Sequence, residues 1–114
     1  MSFRLNLYFA DMLDAITRLQ TYTYDLDEAA FFGSQLIQDA CFRNFLVLGE
    51  AVKQIPDDAR AKRPEVPWKA IAGLRDHLAH AYFSIDERIL WSIVKNDLEP
   101  LKAAVLFLLE SEAP

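Results

Sequence analysis

The sequence is poor in turn-forming residues and in cysteine. It has three Gly, five Pro and one Cys among 114 residues. Because β-sandwiches need frequent turn residues, this scarcity, together with many Leu, Ala, Ile and Phe, predicts an all-α fold. Cys41 is the lone cysteine and has no partner for an intrachain disulfide, which is typical of a reducing compartment. We therefore expect a cytoplasmic chain built from helices.

Long hydrophobic runs and an excess of positive charge are also missing. The longest apolar run near the end, Ala103 to Leu109, is far shorter than the roughly 20 residues needed to span a bilayer. No membrane role is expected. The formal net charge is −5, whereas general nucleic-acid binders depend on many Lys and Arg contacts to phosphate. Any chemistry on RNA or DNA must therefore be confined to a local cleft.

Apolar residues recur at three- and four-residue steps, which predicts four to five helices in a single domain spanning residues 1–114. The apolar stripes of the later helices are predicted to include Leu36, Ile89 and Leu106. A short turn through Phe31 and Phe32 and a proline-containing loop, Asp57 to Pro67, separate the earlier helices. Ser34 is a predicted N-cap. The helices are expected at Leu5 to about Thr23, Gln35 to about Ile55, Pro67 to about Tyr82, Glu87 to about Lys95, and a last segment with Pro100 near its start.

One segment, Arg75-Asp76-His77-Leu78-Ala79-His80-Ala81-Tyr82, holds both histidines of the chain beside a fixed cation and a phenol. His can change charge near neutral pH and Arg binds phosphate oxygens bidentately, a combination suited to phosphoryl chemistry. On a helix Asp76 and His80 face the same side, whereas Arg75 and His80 lie about 140° apart. One copy cannot surround a substrate, so we expect two copies to meet across a two-fold axis.

Simpler interpretations of these residues stay open. Arg75 could be only an ion-pair partner of Asp76 or Glu50, and Tyr82 could be only the edge of an apolar stripe. His77 is interpreted as structural or solvated. A metal site at Asp76, His77 and His80 is short of the usual zinc ligand set, so no metal or cofactor is predicted.

Several features outside the motif can also be interpreted as functional sites. The basic run Arg60 to Arg63 could guide RNA or simply add solubility. Trp68, Trp91 and Cys41 are predicted to be buried rather than functional. A nucleotide-binding sensor is disfavoured because the chain has no glycine-rich phosphate loop.

The spacing of Arg75, four residues, His80, one residue and Tyr82 resembles the signature of the HepT-like branch of the HEPN ribonuclease superfamily. The resemblance extends to Gly49-Glu50-Ala51, to the approach Trp68 through Arg75, and to Ile85-Asp86 followed by Leu90-Trp91. It covers the chain from Arg18 to about Leu109.

This resemblance implies a helical HEPN-type homodimer whose motif helices face a shared cleft. The implied activity is that of a metal-independent endoribonuclease toxin, of a type II/VII-like pair, acting on RNA. Arg75 and His80 would be catalytic, with Asp76 and Glu50 in support. Tyr82 would be adenylylated by a minimal nucleotidyltransferase antitoxin. The alternative is a catalytically inactive HEPN-type module that binds RNA or protein.

Overall fold

The computed structural model describes the backbone of residues 3–80 and 86–112, and side chains within 4–78 and 86–111. All regular secondary structure in these ranges is helical, which confirms the predicted all-α class. Two of the helices are single turns, and the other five match the upper end of the predicted four to five. The helices are α1 (Phe3–Thr23), α2 (Glu28–Phe32), α3 (Gln35–Lys53), α4 (Asp57–Arg60), α5 (Trp68–His80), α6 (Glu87–Asn96) and α7 (Leu98–Glu112).

Short polar side chains start three of these helices. The side-chain oxygens of Asp27, Ser34 and Asp86 each accept a hydrogen bond from a backbone N–H in the first turn of α2, α3 and α6. Such caps satisfy N–H groups that have no partner inside the helix. The predicted cap at Ser34 is thus confirmed, and α3 ends at Lys53, two residues before the predicted end at about Ile55.

The predicted loop between Asp57 and Pro67 was wrong in its first part, because α4 forms there. Pro56 precedes this turn in an extended conformation, and Asp57 and Asp58 occupy its first turn. Carboxylates are favourable beside the partial positive charge of a helix N-terminus. The chain therefore forms one helical turn, α4, before it reaches α5.

Helix α3 lies at the centre of the fold and packs against both α1 and α5. Helix α1 also packs against α7, and Gln20 Nε2 on α1 donates to Glu99 Oε2 on α7 at 2.8 Å. The short helix α2 is tied to α3 because Gln38 Nε2 donates to the carbonyls of Phe31 and Phe32, each at 3.0 Å. α3 therefore links the amino-terminal helices to α5, the helix that carries Arg75.

The core follows most of the predicted stripes, with three clear errors, one each on α3, α6 and α7. Ile89 on α6 is 56% exposed. Leu36 is 79% exposed, and Leu106 is also exposed. At 100° per residue Leu36 lies about 180° from the buried Phe45, and Leu106 lies about 140° from the buried Leu101. Both face away from the side that packs. The fully buried large side chains are Phe9, Phe31, Phe45, Met12, Ile16, Leu19, Leu48, Ile71, Leu78, Leu98, Leu101 and Leu108.

Trp68, Trp91 and Cys41 are buried, as predicted. The ring of Trp91 lies 5.2 Å from that of Phe31, between their centroids. Burial raises the pKa of the Cys41 thiol to about 11. Since the thiolate is the reactive form of cysteine, Cys41 acts as a small core residue.

Gly49 allows α3 and α5 to come unusually close. A Cβ atom at this position would lie 2.9 Å from the backbone nitrogen of Arg75 and 3.1 Å from the carbonyl oxygen of Ile71. Both atoms belong to the backbone of α5, so neither can rotate away. The backbones therefore meet at Arg75, and only glycine fits at the contact.

Replacing Gly49 with alanine is expected to destabilise the protein. Alanine favours a helix by about 1 kcal/mol over glycine, but overpacking against a fixed backbone typically costs about 1–3 kcal/mol. Gly73→Ala is the matched control, because a Cβ there meets nothing within 4 Å. Urea unfolding should show a loss of stability for Gly49→Ala and none for Gly73→Ala. Equal stabilities for the two variants would contradict the close crossing.

Candidate active site

The motif arginine is held by carboxylates from two helices. Arg75 Nε lies 2.9 Å from Glu50 Oε2, and its Nη1 donates to Asp76 Oδ1 at 3.2 Å. Glu50 lies on α3 directly after the crossing residue Gly49, whereas Asp76 lies on α5. The guanidinium side chain is still 41% exposed. Arg75 thus pairs with both carboxylates that the sequence offered as partners, and it remains open to solvent.

A second cation, Lys53, completes a four-residue charge cluster with Glu50, Arg75 and Asp76. Lys53 Nζ lies 3.3 Å from Asp76 Oδ1, the same oxygen that accepts from Arg75. Lys53 and, to a smaller extent, Arg75 lower the pKa of the Asp76 carboxyl below its ordinary value of 3.8. Exposed pairs of this kind add little to overall stability. Their main effect is to fix the position of the guanidinium.

Two of the other motif residues, His77 and His80, belong to α5. Because α5 runs to His80, Arg75 and His80 share one helix, as predicted. The His80 side chain and the whole of Tyr82 lie outside the described residues. The expectation that Asp76 orients His80 therefore stays a prediction. His77 is exposed and lines a groove beside α6 instead of the charge cluster.

An open cleft of about 420 Å³ lies beside Arg75, between residues of α1, α3 and α5. We refer to it as the Arg75 cleft. Its apolar side is formed by three residues of α3, and its charged groups are Asp11, Glu50 and Arg75. The complete lining is Tyr8, Asp11, Leu46, Val47, Glu50, Ala51 and Arg75.

The described part of the chain shows no group of three or more His, Cys, Asp or Glu residues placed to hold a metal ion. Within the same residues, no helix is both long enough and apolar enough to cross a membrane.

In the basic run Arg60 to Arg63, both end residues contact other parts of the protein. Arg60 Nη2 donates to the carbonyl of Val52 at 2.8 Å. Arg63 Nε lies 2.7 Å from Glu65 Oε2, and its guanidinium lies 5.1 Å from the centre of the Phe107 ring. These contacts hold Arg60 and Arg63 against neighbouring residues, and a role for the run in guiding RNA stays a prediction.

The sequence pattern did not single out Lys53, Tyr8 or Asp11. Lys53 lies one helical turn after Gly49, so it shares the face that approaches α5. A glycine in the middle of an apolar helix is the signal that marks such an approach. Tyr8 and Asp11 are three residues apart on α1, but only the packing of α1 on α3 brings them to the Arg75 cleft.

Comparison with known proteins gives a consistent result. Residues 12–107 match the family model described as ribonuclease HepT-like. The chain is 39% identical to a protein named Probable ribonuclease HepT from Thermococcus cleftensis, over 83% of this chain and 86% of the relative. It is 39% identical to a protein of Methanocaldococcus jannaschii provisionally named an RNase, over 86% and 90% of the two chains.

A longer relative from Methanocaldococcus jannaschii is 37% identical over 93% of this chain. Its name combines gamma-glutamylcyclotransferase with a provisional RNase, and the match covers 48% of its length. The chain thus spans about half of that relative. No solved structure gives a significant match.

Replacing Lys53 with methionine is expected to raise the pKa of the Asp76 carboxyl toward 3.8, because Lys53 is the larger cause of the lowering. A folded-state pKa below the unfolded one stabilises the protein above the unfolded pKa. That stabilisation is lost as the pH falls through the folded-state value. NMR titration of the Asp76 carboxyl carbon measures the shift directly. Lys69→Met is the control, since Lys69 lines the groove beside α6, and an unchanged Asp76 pKa in Lys53→Met would contradict the pairing.

Proposed function

The chain belongs to the HepT-like ribonuclease family, and from that premise we propose that it is a metal-independent endoribonuclease. The observation that carries the proposal is the placement of Arg75. Its guanidinium is held by Glu50 and Asp76, is partly exposed, and borders the Arg75 cleft. Arg75 also shares helix α5 with His80.

The proposed reaction is a transfer within the RNA chain. The 2′-oxygen forms a bond to phosphorus while the bond from phosphorus to the 5′-oxygen breaks. An imidazole of His80 takes the proton from the 2′-hydroxyl, and an imidazolium gives a proton to the leaving 5′-oxygen. The products are a 2′,3′-cyclic phosphate and a 5′-hydroxyl, and no metal is needed for either proton transfer.

Arg75 would stabilise the negative charge that develops on the phosphate oxygens in the transition state. A guanidinium has five N–H donors, and the contacts to Glu50 and Asp76 use two of them. In this role the carboxylates are positioning groups, since they hold the guanidinium in one orientation. Asp76 is also proposed to orient His80, which follows it by one helical turn.

A homodimer is part of the proposal because the reaction needs a base and an acid, whereas each chain supplies one motif histidine. Arg75 and His80 lie five residues apart on α5, so their positions around the helix axis differ by about 140°. Two α5 helices related by a two-fold axis would bring two imidazoles and two guanidinium groups to a shared cleft.

We also propose that the protein is a cytoplasmic toxin controlled by a nucleotidyltransferase antitoxin. In this proposal the antitoxin transfers adenylyl groups to the hydroxyl of Tyr82, two residues after His80. A phosphate there would repel the RNA phosphate and block the cleft.

One observation favours a second candidate, a catalytically inactive HEPN-type module that binds RNA or protein. Glu50 and Asp76 already neutralise Arg75, which would weaken its attraction for RNA phosphate. The two candidates make opposite predictions for RNA cleavage.

RNA cleavage by purified protein in the presence of EDTA distinguishes the two. Arg75→Ala should lower the rate by about 10²–10³-fold, from the loss of transition-state stabilisation. His80→Ala should lower it by about 10²–10⁴-fold, from the loss of proton transfer. Arg18→Ala is the control, because Arg18 is exposed and pairs with Asp14 elsewhere on α1. Equal cleavage by all four proteins, or activity abolished by EDTA, would contradict the proposal.

Replacing Tyr82 with phenylalanine should preserve RNA cleavage while removing control by the antitoxin. Co-incubation with a nucleotidyltransferase encoded beside this gene and ATP should increase the mass of the wild-type protein by whole adenylyl units and stop cleavage. The Tyr82→Phe protein should gain no mass and stay active. Inhibition of Tyr82→Phe to the wild-type extent would exclude Tyr82 as the site of control.

A further inference from the structure

The Arg75 cleft extends beyond the groups that the proposed reaction uses. Arg75 and Glu50 lie at one side, and the rest of the lining comes from α1 and from the apolar face of α3. Its volume of about 420 Å³ is within the range of about 300–1,000 Å³ typical of small-molecule sites. A nucleotide whose phosphate contacts Arg75 would have its base beside this cleft.

Tyr8 provides an aromatic surface in the cleft. It lies in the second turn of α1, is partly buried, and packs against the core. Single-stranded RNA is commonly recognised by stacking of its unpaired bases on aromatic side chains. The apolar residues Leu46, Val47 and Ala51 line the same cleft and suit the face of a flat ring.

Asp11 provides a hydrogen-bonding group that differs from the rest of the lining. It lies three residues after Tyr8, on the same face of α1, and it is exposed to solvent. An ionised carboxylate only accepts hydrogen bonds, and its two oxygens can accept two parallel ones. Guanine carries two adjacent donors, N1–H and the 2-amino group, which match this pair. Uracil presents one N–H between two carbonyl oxygens, which a carboxylate repels.

We propose that the Arg75 cleft is a nucleobase subsite that prefers guanine, with Tyr8 as the stacking surface and Asp11 as the specificity-determining acceptor. The proposal rests on the proposed ribonuclease function, because it places the base beside the phosphate that Arg75 contacts. Glu50 is directed to Arg75, so Asp11 is the cleft carboxylate assigned to the base.

Binding of free nucleotides tests the subsite without requiring cleavage. Isothermal titration of the wild-type protein with guanosine 3′-monophosphate and uridine 3′-monophosphate should show at least about tenfold tighter binding of the guanine nucleotide, the scale of a charge-assisted hydrogen bond. Asp11→Asn should remove most of that difference. Asp14→Asn is the matched control, since Asp14 lies on α1 outside the cleft and pairs with Arg18.

The stacking surface is tested with two substitutions at one position. Tyr8→Phe keeps a ring and should bind both nucleotides nearly as the wild type does, whereas Tyr8→Leu should weaken both by about tenfold. Tyr22→Leu is the control, because Tyr22 is also partly buried on α1 but does not line the cleft. Equal binding of the two nucleotides by the wild-type protein, or no binding of either, would overturn the proposal.

Cleavage of oligonucleotides separates this inference from the proposed function. A substrate of uridines with one guanosine should be cut next to the guanosine, and inosine at that position should slow cutting because inosine lacks the 2-amino group. Cleavage of RNA with no base preference, unchanged by Asp11→Asn, would refute the subsite and leave the ribonuclease intact. Tight guanine-nucleotide binding with no cleavage of any RNA would support the subsite and refute the proposed function.

Discussion

The close contact between α3 and α5 at Gly49 is the constraint on which the candidate site depends. With no Cβ between them, the backbone of α3 reaches the backbone of α5 at Ile71 and Arg75. Glu50 and Lys53, which follow Gly49 on α3, therefore reach Arg75 and Asp76 on α5. The contact thus brings the charged groups of α3 and α5 together.

The charge cluster follows from that contact. Glu50 and Lys53 from α3 meet Arg75 and Asp76 from α5, so two cations and two carboxylates alternate across the helix pair. In a chain with a net charge of −5, such local pairing keeps a guanidinium fixed and accessible at the proposed phosphate site. An exposed, unpaired arginine would sample many rotamers and would lose more entropy on binding a phosphate. Preorganisation of this kind is what transition-state stabilisation requires.

The sequence predicted the fold class, the cap at Ser34 and the position of the motif, because these depend on local patterns. A helical apolar stripe with a period of 3.6 residues, or an N-cap such as Ser34, is recognised from residues that are close together in sequence. Leu36 and Leu106 were misassigned because an apolar residue on the outer side of a helix looks the same in sequence as one on the inner side. The sequence offered Glu50 and Asp76 as alternative ion-pair partners of Arg75, and the structure shows both pairs. Lys53 had only the indirect signal of Gly49 one helical turn before it. Tyr8 and Asp11 could not be placed in the site from sequence, since their position depends on how α1 packs on α3.

The central claim is that the Gly49 contact acts on RNA cleavage through Arg75, and one set of rates tests it most directly. Cleavage is measured for the wild type, Gly49→Ala, Arg75→Ala and the double variant, at a temperature where all four are folded. If Gly49 serves to position Arg75, the double variant should be no slower than Arg75→Ala alone, because residues that act as one unit are not additive. Losses that multiply in the double variant would contradict the claim and would show that the contact and the arginine act independently.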